Sequence, residues 1–290
     1  MKQKIAVLVF AFALLIGCTA PIDIQTDNSP PVIVIYGVLT DEVKYQEITI
    51  SRSAPYFDDE PNQGISGAKV TVRSSDNKVY PFVESNIPGL YYSRSPFVAR
   101  AGNDYFLTVE VDFNKDGIPD KYEAETTILP VPQIDSLTIE PVEMFGHKNH
   151  ILYVHAQDPP EKNFYLFHVF QNDSLLTEKL TDMIVSTDDL FNDQYIKGDI
   201  YFFDDISEWE KDSEEDRKRS TYLQRGDKID LQLCLISQGY FDFINQCTKE
   251  KNGENPMFGG PPSNITTNIS NGGIGYFTGY TIEQKDIIFE

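Results

Sequence analysis

Much of the chain consists of short segments in which apolar and polar residues alternate. In residues 104–111, Tyr105, Leu107 and Val109 share one face, and polar residues occupy most of the other positions. Alternation with a period of two, in β-branched and aromatic residues, is typical of half-buried strands. Before residue 130 the pattern predicts strands at 32–40, 47–53, 68–73, 79–84, 90–93, 104–111 and 122–129. Strands of this number and spacing favour a β-sandwich.

A proline-rich stretch, Leu129-Pro130-Val131-Pro132, follows these strands and predicts a domain boundary, because each proline removes a backbone donor. We expect a β-sandwich domain at 32–130 and a second β-rich domain at 131–290. In the second domain, residues 240–249 predict a short amphipathic helix, because Tyr240, Phe243, Ile244 and Cys247 fall at helical spacing. The charged stretch 207–219 predicts an exposed helix or loop. The predicted strands of the second domain are 136–142, 151–157, 164–171, 199–203, 228–236, 275–282 and 287–289.

The N-terminus has the three parts of a bacterial lipoprotein signal. Lys2 and Lys4 precede an unbroken apolar run at 5–16, which is too short to span a bilayer. Gly17 then precedes Cys18, as in a lipobox. We expect residues 1–17 to be removed and Cys18 to carry the acyl chains, with 18–31 as a polar tether. The alternative is an ordinary signal peptide with an incidental cysteine.

The net charge restricts the classes of partner. The chain has 45 acidic and 24 basic side chains, with a formal net charge of −21. Such acidity argues against nucleic acid and against docking on anionic lipids. It permits cations and basic partners, although most of the charge is that of an ordinary soluble surface.

Two cysteines remain after Cys18 is assigned to the lipid. Cys234 lies in a predicted strand and Cys247 in the predicted helix, 13 positions later. An exported protein reaches a compartment that permits disulfides, so we expect a Cys234–Cys247 bridge. Two buried free thiols are the alternative.

Residues 112–123 match every demanded position of a calcium loop, D-x-[DN]-x-[DN]-G-x5-E. Alternate oxygens on a tight loop converge on one point, which suits a hard cation. The flanks look like strands and Pro119 is atypical, so we expect a structural calcium site on a hairpin rather than a sensor. An acidic turn without an ion is the alternative. The predicted ligands are Asp112, Asn114, Asp116, the Ile118 carbonyl, Asp120 and Glu123.

No catalytic constellation is recognisable. The chain lacks G-x-S-x-G, P-loop and H-E-x-x-H motifs, and its four histidines are scattered. Acidic pairs such as Asp204-Asp205 arise by chance in so acidic a chain. We therefore predict that the protein is not an enzyme. Asp135-Ser136-Leu137 and Asp173-Ser174-Leu175 are similar to bacterial O-glycan sites, but three residues make a weak signal.

The order of several short motifs resembles a family of Bacteroidetes lipoproteins classed as a domain of unknown function and often encoded beside TonB-dependent receptors. This resemblance implies an immunoglobulin- or prealbumin-like N-terminal sandwich, an outer-membrane location and a transporter partner. It implies no catalytic residues. The motifs that carry it are Cys18 with its tether and residues 34–40, 50–53, 67–72, 89–91, 101–107, 134–137, 261–265 and 272–277.

Three functions follow from these observations. The first is a non-catalytic binding or accessory module, anchored in the outer membrane, that acts with a TonB-dependent receptor in nutrient uptake. Its ligand would be a glycan or a peptide. The second is an adhesin or surface scaffold stiffened by calcium. The third, ranked last, is a glycan or peptide hydrolase, which would need two carboxylates of separated pKa. The side of the outer membrane on which the body lies stays open.

Overall fold

The computed structural model of the chain is mainly β, with eighteen strands and one long helix among the residues that it describes. These residues are 30–53, 62–144, 146–208, 214, 221–253 and 265–290. Pro31–Glu290 form one compact unit. The predicted signal peptide, Cys18 and most of the tether lie outside the described residues, as does most of the charged stretch 207–219.

The first sheet contains nine strands, in the order β17-β1-β2-β6-β5-β4-β7-β8, with β3 paired to β2. Its first and last members along the chain, β1 and β17, pair in parallel, with Val34 opposite Ile274. The strands are β1 (Ile33–Thr40), β2 (Glu47–Arg52), β3 (Gln63–Gly64), β4 (Lys69–Ser74), β5 (Val79–Glu84), β6 (Leu90–Ser93), β7 (Asp104–Val111), β8 (Asp120–Thr127) and β17 (Ile274–Tyr280).

The two end strands of this sheet, β8 and β17, are joined by the segment that precedes β17. The backbone N–H of Ser270 donates to the Glu123 carbonyl at 2.8 Å. The Asn268 amide donates to the carbonyls of Glu125 at 3.0 Å and Phe277 at 2.7 Å. Its oxygen accepts the N–H of Phe277 at 2.9 Å. The sheet therefore curls into a nearly closed, barrel-like form around one apolar core.

A glycine permits the parallel pairing of β1 and β17. Gly275 has φ of +102°, and a Cβ built there would lie 2.1 Å from the Ile35 carbonyl oxygen. A side chain at this position would push the two strands apart, so close backbone approach requires glycine. Phe277, which is fully buried, then enters the core that the N-terminal strands form.

The remaining strands form two smaller sheets with their own apolar core between them. The second sheet has the order β15-β14-β10-β9, and the third has β12-β11-β16-β18 with β13 paired to β11. The strands are β9 (Ile134–Met144), β10 (His147–Gln157), β11 (Phe164–Gln171), β12 (Ser174–Leu175), β13 (Ile184–Thr187), β14 (Tyr195–Asp205), β15 (Tyr222–Leu223), β16 (Lys228–Leu235) and β18 (Ile282–Ile288).

A helix, α1 (Gln238–Gly253), follows β16, and two short 3-10 turns lie at Leu180–Asp182 and Ile206–Glu208. Tyr240 and Ile244 of α1 pack into a third apolar cluster, together with Tyr276 and Tyr280 of β17. Because this cluster joins residues of the first sheet to residues of the third, the two regions share buried surface.

The predicted mainly β class is confirmed, and the predicted helix at 240–249 lies inside α1. The first sheet also takes β17 from beyond residue 130, so residues 32–130 do not supply all of its strands. The immunoglobulin- or prealbumin-like arrangement, and the boundary itself, stay predictions.

Candidate functional site

One cavity of the described residues is a cleft between β13 and β14. These consecutive strands belong to different sheets and diverge from the turn that connects them, residues 188–194. The cleft has a volume of about 590 Å³, within the range of small-molecule and peptide pockets. At this cleft, the apolar core between the second and third sheets is open to solvent.

The floor of the cleft is apolar and belongs to the core between these sheets. Val154 of β10, Tyr165 and Phe167 of β11, and Leu233 of β16 line it, and each is buried. Gly198 of β14 lies opposite Val154 in the strand register. The absence of a side chain at Gly198 leaves room above the floor.

The rim of the cleft exposes large apolar side chains to solvent. Leu190 is 91 % exposed and Tyr195 is 58 % exposed, and both line the cleft. Lys197 lies beside them, with its ammonium 4.1 Å from the centre of the Tyr153 ring. Exposed apolar groups at the mouth of a cavity are typical of interaction sites.

One buried carboxylate, that of Asp158, lies at the end of the cleft. The Tyr165 hydroxyl donates to one of its oxygens, and the backbone N–H of Asp193 donates to the other at 3.1 Å. Burial raises the pKa of Asp158, and the two hydrogen bonds oppose that shift. Burial, with the neighbouring carboxylate, also raises the pKa of Tyr165.

A second buried carboxylate, Asp188, begins the turn between β13 and β14. It accepts the N–H of Asn163 at 2.6 Å and lies 2.8 Å from the Lys162 ammonium. Asp158 and Asp188 thus fix opposite ends of the turn 188–194 to the strands beside it. Since hydrogen bonds hold Asp158, and a hydrogen bond and an ion pair hold Asp188, their arrangement supports a structural role.

The predicted calcium loop forms a tight turn between β7 and β8. Asp112 accepts the N–H groups of Asp116 and Gly117, each at 3.0 Å. Asn114 accepts the N–H of Asp116 at 3.0 Å and donates to its carboxylate at 3.1 Å. Lys115 and Gly117 have positive φ of 63° and 89°. The loop therefore brings Asp112, Asn114 and Asp116 together.

The later predicted ligands occupy different surroundings. Asp120 begins β8, and Glu123 lies further along that strand, opposite Thr108. The Glu123 carboxylate pairs with Lys121 at 2.6 Å. The side chain of Ile118 is 70 % exposed. Among the described residues, no three His, Cys, Asp or Glu side chains cluster as metal ligands, and calcium binding stays a prediction.

The two remaining cysteines are free thiols in the structure, which is the alternative that the sequence left open. Cys234 is buried in β16, and Cys247 is half-buried on α1. Burial raises the pKa of Cys247 to about 11. Burial also raises the pKa of Cys234. Both thiols therefore stay protonated at neutral pH and are poor nucleophiles.

The cleft was not predicted from the sequence. Its lining residues come from β10, β11, β13, β14 and β16 and from the loops beside them, so they are scattered along the chain. Two signals were present in the sequence: Asp188-Asp189-Leu190 places a large apolar residue beside two acids, and Gly198 directly precedes the predicted strand 199–203.

The family model described as a domain of unknown function, DUF4249, matches residues 19–286. The chain belongs to this family. No curated protein matches the chain. Membership in DUF4249 agrees with the resemblance to a family of unknown function that the order of the sequence motifs indicated. In the part of the chain that the structure describes, no helix is long and apolar enough to cross a membrane.

Proposed function

We propose that this DUF4249 protein is an outer-membrane-anchored lipoprotein whose body is a non-catalytic binding or accessory module. It acts with a TonB-dependent receptor in nutrient uptake. The observation that carries the proposal is the cleft between β13 and β14, with its apolar floor and exposed apolar rim. A preformed cavity of this volume suits a bound partner or ligand.

The surroundings of the buried acids support binding rather than hydrolysis. A glycosidase or protease of the two-carboxylate type needs an acid and a base that reach the substrate. Asp158 and Asp188 are the buried acids at the cleft, and both are engaged by groups of the protein itself. They hold the turn 188–194 in place and so preserve the shape of the cleft.

The membrane location of the proposal rests on the sequence of the N-terminus. The basic start, the apolar run and Gly17-Cys18 provide the signals for cleavage and lipidation. Changing Cys18 to Ser should remove the protein from the outer-membrane fraction of cells, because the acyl chains would be lost.

Co-purification from solubilised outer membranes tests the receptor partnership. The protein, carrying an affinity tag after Glu290, is captured in detergent, and its partners are determined by mass spectrometry. We expect a TonB-dependent receptor in stoichiometric amount. An eluate without any barrel, from a protein that still fractionates with the outer membrane, would contradict the proposal.

A second candidate function is an adhesin or surface scaffold, favoured by the tight acidic loop between β7 and β8. In this proposal a structural calcium ion binds at Asp112, Asn114 and Asp116 and stiffens the hairpin. As part of this second proposal, residues 32–130 have an immunoglobulin- or prealbumin-like fold. Comparing their strand order with the strand orders of those folds tests this. Adhesion of cells to immobilised host or bacterial surfaces, lost on deletion of this gene, would favour it over the receptor partnership.

A further inference from the structure

The geometry of the cleft points to an extended peptide strand as its occupant, and we propose that a segment of a partner protein adds to the sheet there. The segment would place alternate apolar side chains on the cleft floor and form main-chain hydrogen bonds with the edge of β13 or β14. This inference rests on the proposed binding function and names the class of ligand.

The first step of the argument concerns the strand edges. β13 pairs with β11 on one side, where Tyr165 lies opposite Ser186. β14 pairs with β10 on one side, and its pairing with β15 begins only at Asp204. Among the described residues, no strand therefore covers the outer edge of β13 or the edge of β14 along 195–200. Such edges present unpaired N–H and C=O groups, which another strand can satisfy.

The second step concerns the floor between the two edges. Val154, Phe167 and Leu233 belong to the core of the facing sheets, yet they line an open cleft. A strand directs every second side chain to the same face. An added strand can therefore fill this opening with apolar side chains and keep its other side chains in water.

The third step concerns the size of the opening. Tyr195–Ile200 present about six residues of open edge. At roughly 3.3 Å per residue, this edge accommodates a peptide of similar length. A compact apolar molecule would fill the floor and leave both main-chain edges without partners, which favours the peptide.

The fourth step concerns charge. Asp158 and Asp199 line the cleft, and its one lining lysine, Lys197, is already paired. Lys197 contacts Glu140 at 2.5 Å. In a chain of net charge −21 this local acidity favours basic residues at the outward positions of the peptide.

Fluorescence anisotropy with defined peptides tests the inference on the purified mature protein. The probe is a fluorescein-labelled peptide with the sequence Lys-Val-Thr-Val-Lys-Val-Thr-Val-Lys. A peptide of the same composition, with its valines grouped together, is the first control. We expect the alternating peptide to bind at least ten-fold more tightly, because only its valines face one side.

Backbone methylation separates strand addition from ordinary apolar binding. Two further probes carry N-methyl groups on either the odd or the even residues of the alternating peptide. In an added strand, the N–H groups of either the odd or the even residues face the edge of the protein. Methylation of that set removes the hydrogen bonds, so that probe should bind at least ten-fold more weakly than the unmethylated peptide. Equal binding of both methylated probes and the parent would overturn the inference.

A substitution at Gly198 tests the location. A Cβ there would lie 3.5 Å from Val154 Cγ1 and 3.9 Å from Ile196 Cδ1, which are ordinary contacts. Gly198→Phe should thus fill the cleft without backbone strain and lower the affinity for the alternating peptide at least ten-fold. Val83→Phe, on the exposed face of the first sheet, is the matched control and should leave binding unchanged. Circular dichroism and melting temperature confirm that both variants fold.

The remaining outcomes overturn the inference and leave the proposed function to be judged separately. Absence of binding by every peptide excludes a peptide site of this kind. Binding of anilinonaphthalene sulfonate that Gly198→Phe blocks and the peptide does not displace would assign the cleft to small apolar molecules. Co-purification of a TonB-dependent receptor depends on neither result, so the two proposals fail independently.

Discussion

The two β regions of this protein, the first sheet and the pair formed by the second and third sheets, differ at their strand edges. In the first sheet, β8 and β17 are joined through Asn268 and Ser270, and the core lies inside a nearly closed ring. In the second region, β13 and β14 diverge and leave their shared core open to the cleft. Closure removes edges and favours stability, whereas an open side retains a surface that a partner can use. The open side is therefore where the proposed binding site lies.

The largest expected effect tests whether the closed region depends on its late strand. Phe277→Ala should lower the free energy of unfolding by about 4 kcal/mol, because a buried aromatic leaves a cavity that the core cannot fill. Phe202→Ala, at a side chain that is 49 % exposed in the open region, should lower it by less than about 1 kcal/mol. Urea denaturation measures both. Similar losses would refute the contrast between the regions.

The next prediction concerns the surface that the two regions share. His168 of β11 lies beside Tyr280 of β17, and burial lowers its pKa to about 4. The unfolded chain binds a proton near pH 6.5 and the folded chain does not. Stability should therefore fall as pH decreases from about 6.5 to 4, by up to about 3 kcal/mol from this group.

His168→Gln should remove that part of the pH dependence, because glutamine does not titrate. The free energy of unfolding, measured by urea at a series of pH values, is compared between the variant and the wild type. If the free energy of unfolding of the variant falls between pH 6.5 and 4 as steeply as that of the wild type, other groups cause the pH dependence.

The closure itself is tested by Asn268→Leu, which removes three hydrogen bonds between β8, β17 and the segment before β17. We expect a loss of about 2 kcal/mol, at roughly 1 kcal/mol or less for each partly exposed bond. Asn149→Leu removes one bond in the open region and is the control. Equal losses for the two variants would mean that the link through Asn268 contributes little to closure.

The smallest expected effect concerns calcium. With the weak affinity of extracellular modules, 10 mM calcium should stabilise the wild type by about 1 kcal/mol and raise its melting temperature by a few degrees. Asp112→Ala should abolish this shift, whereas Asp76→Ala, in another acidic turn of the first sheet, should preserve it. Equal shifts in all three proteins would count against a specific site at Asp112.

Local pattern predicted much of the first region. Segments 79–84, 90–93 and 104–111 are strands with the predicted bounds, because one buried face imposes a period of two on the sequence. The pattern missed β3, β12, β13 and β15, which have two to four residues each and are too short to show a period. Pairing was also beyond reach, since nothing near Val34 or Ile274 indicates that they meet.

The candidate site was harder to predict for the same physical reason. The cleft exists because β13 and β14 join different sheets, and the choice of partner strands depends on long-range packing. Asp158 and Asp188 look like surface acids in the sequence, yet they are 2 % and 0 % exposed. Their burial depends on hydrogen bonds from Tyr165 and Asn163, which no local pattern predicts.

The pairing of β1 with β17 affects when the first region can fold. Val34 and Ile274 are about 240 residues apart, so the ring cannot close until almost the whole chain has been delivered. Contacts of such large sequence separation form slowly. If the chain is exported as its N-terminus indicates, this dependence delays completion of the first region during translocation. The first region would then complete its fold only after the C-terminal strands have crossed.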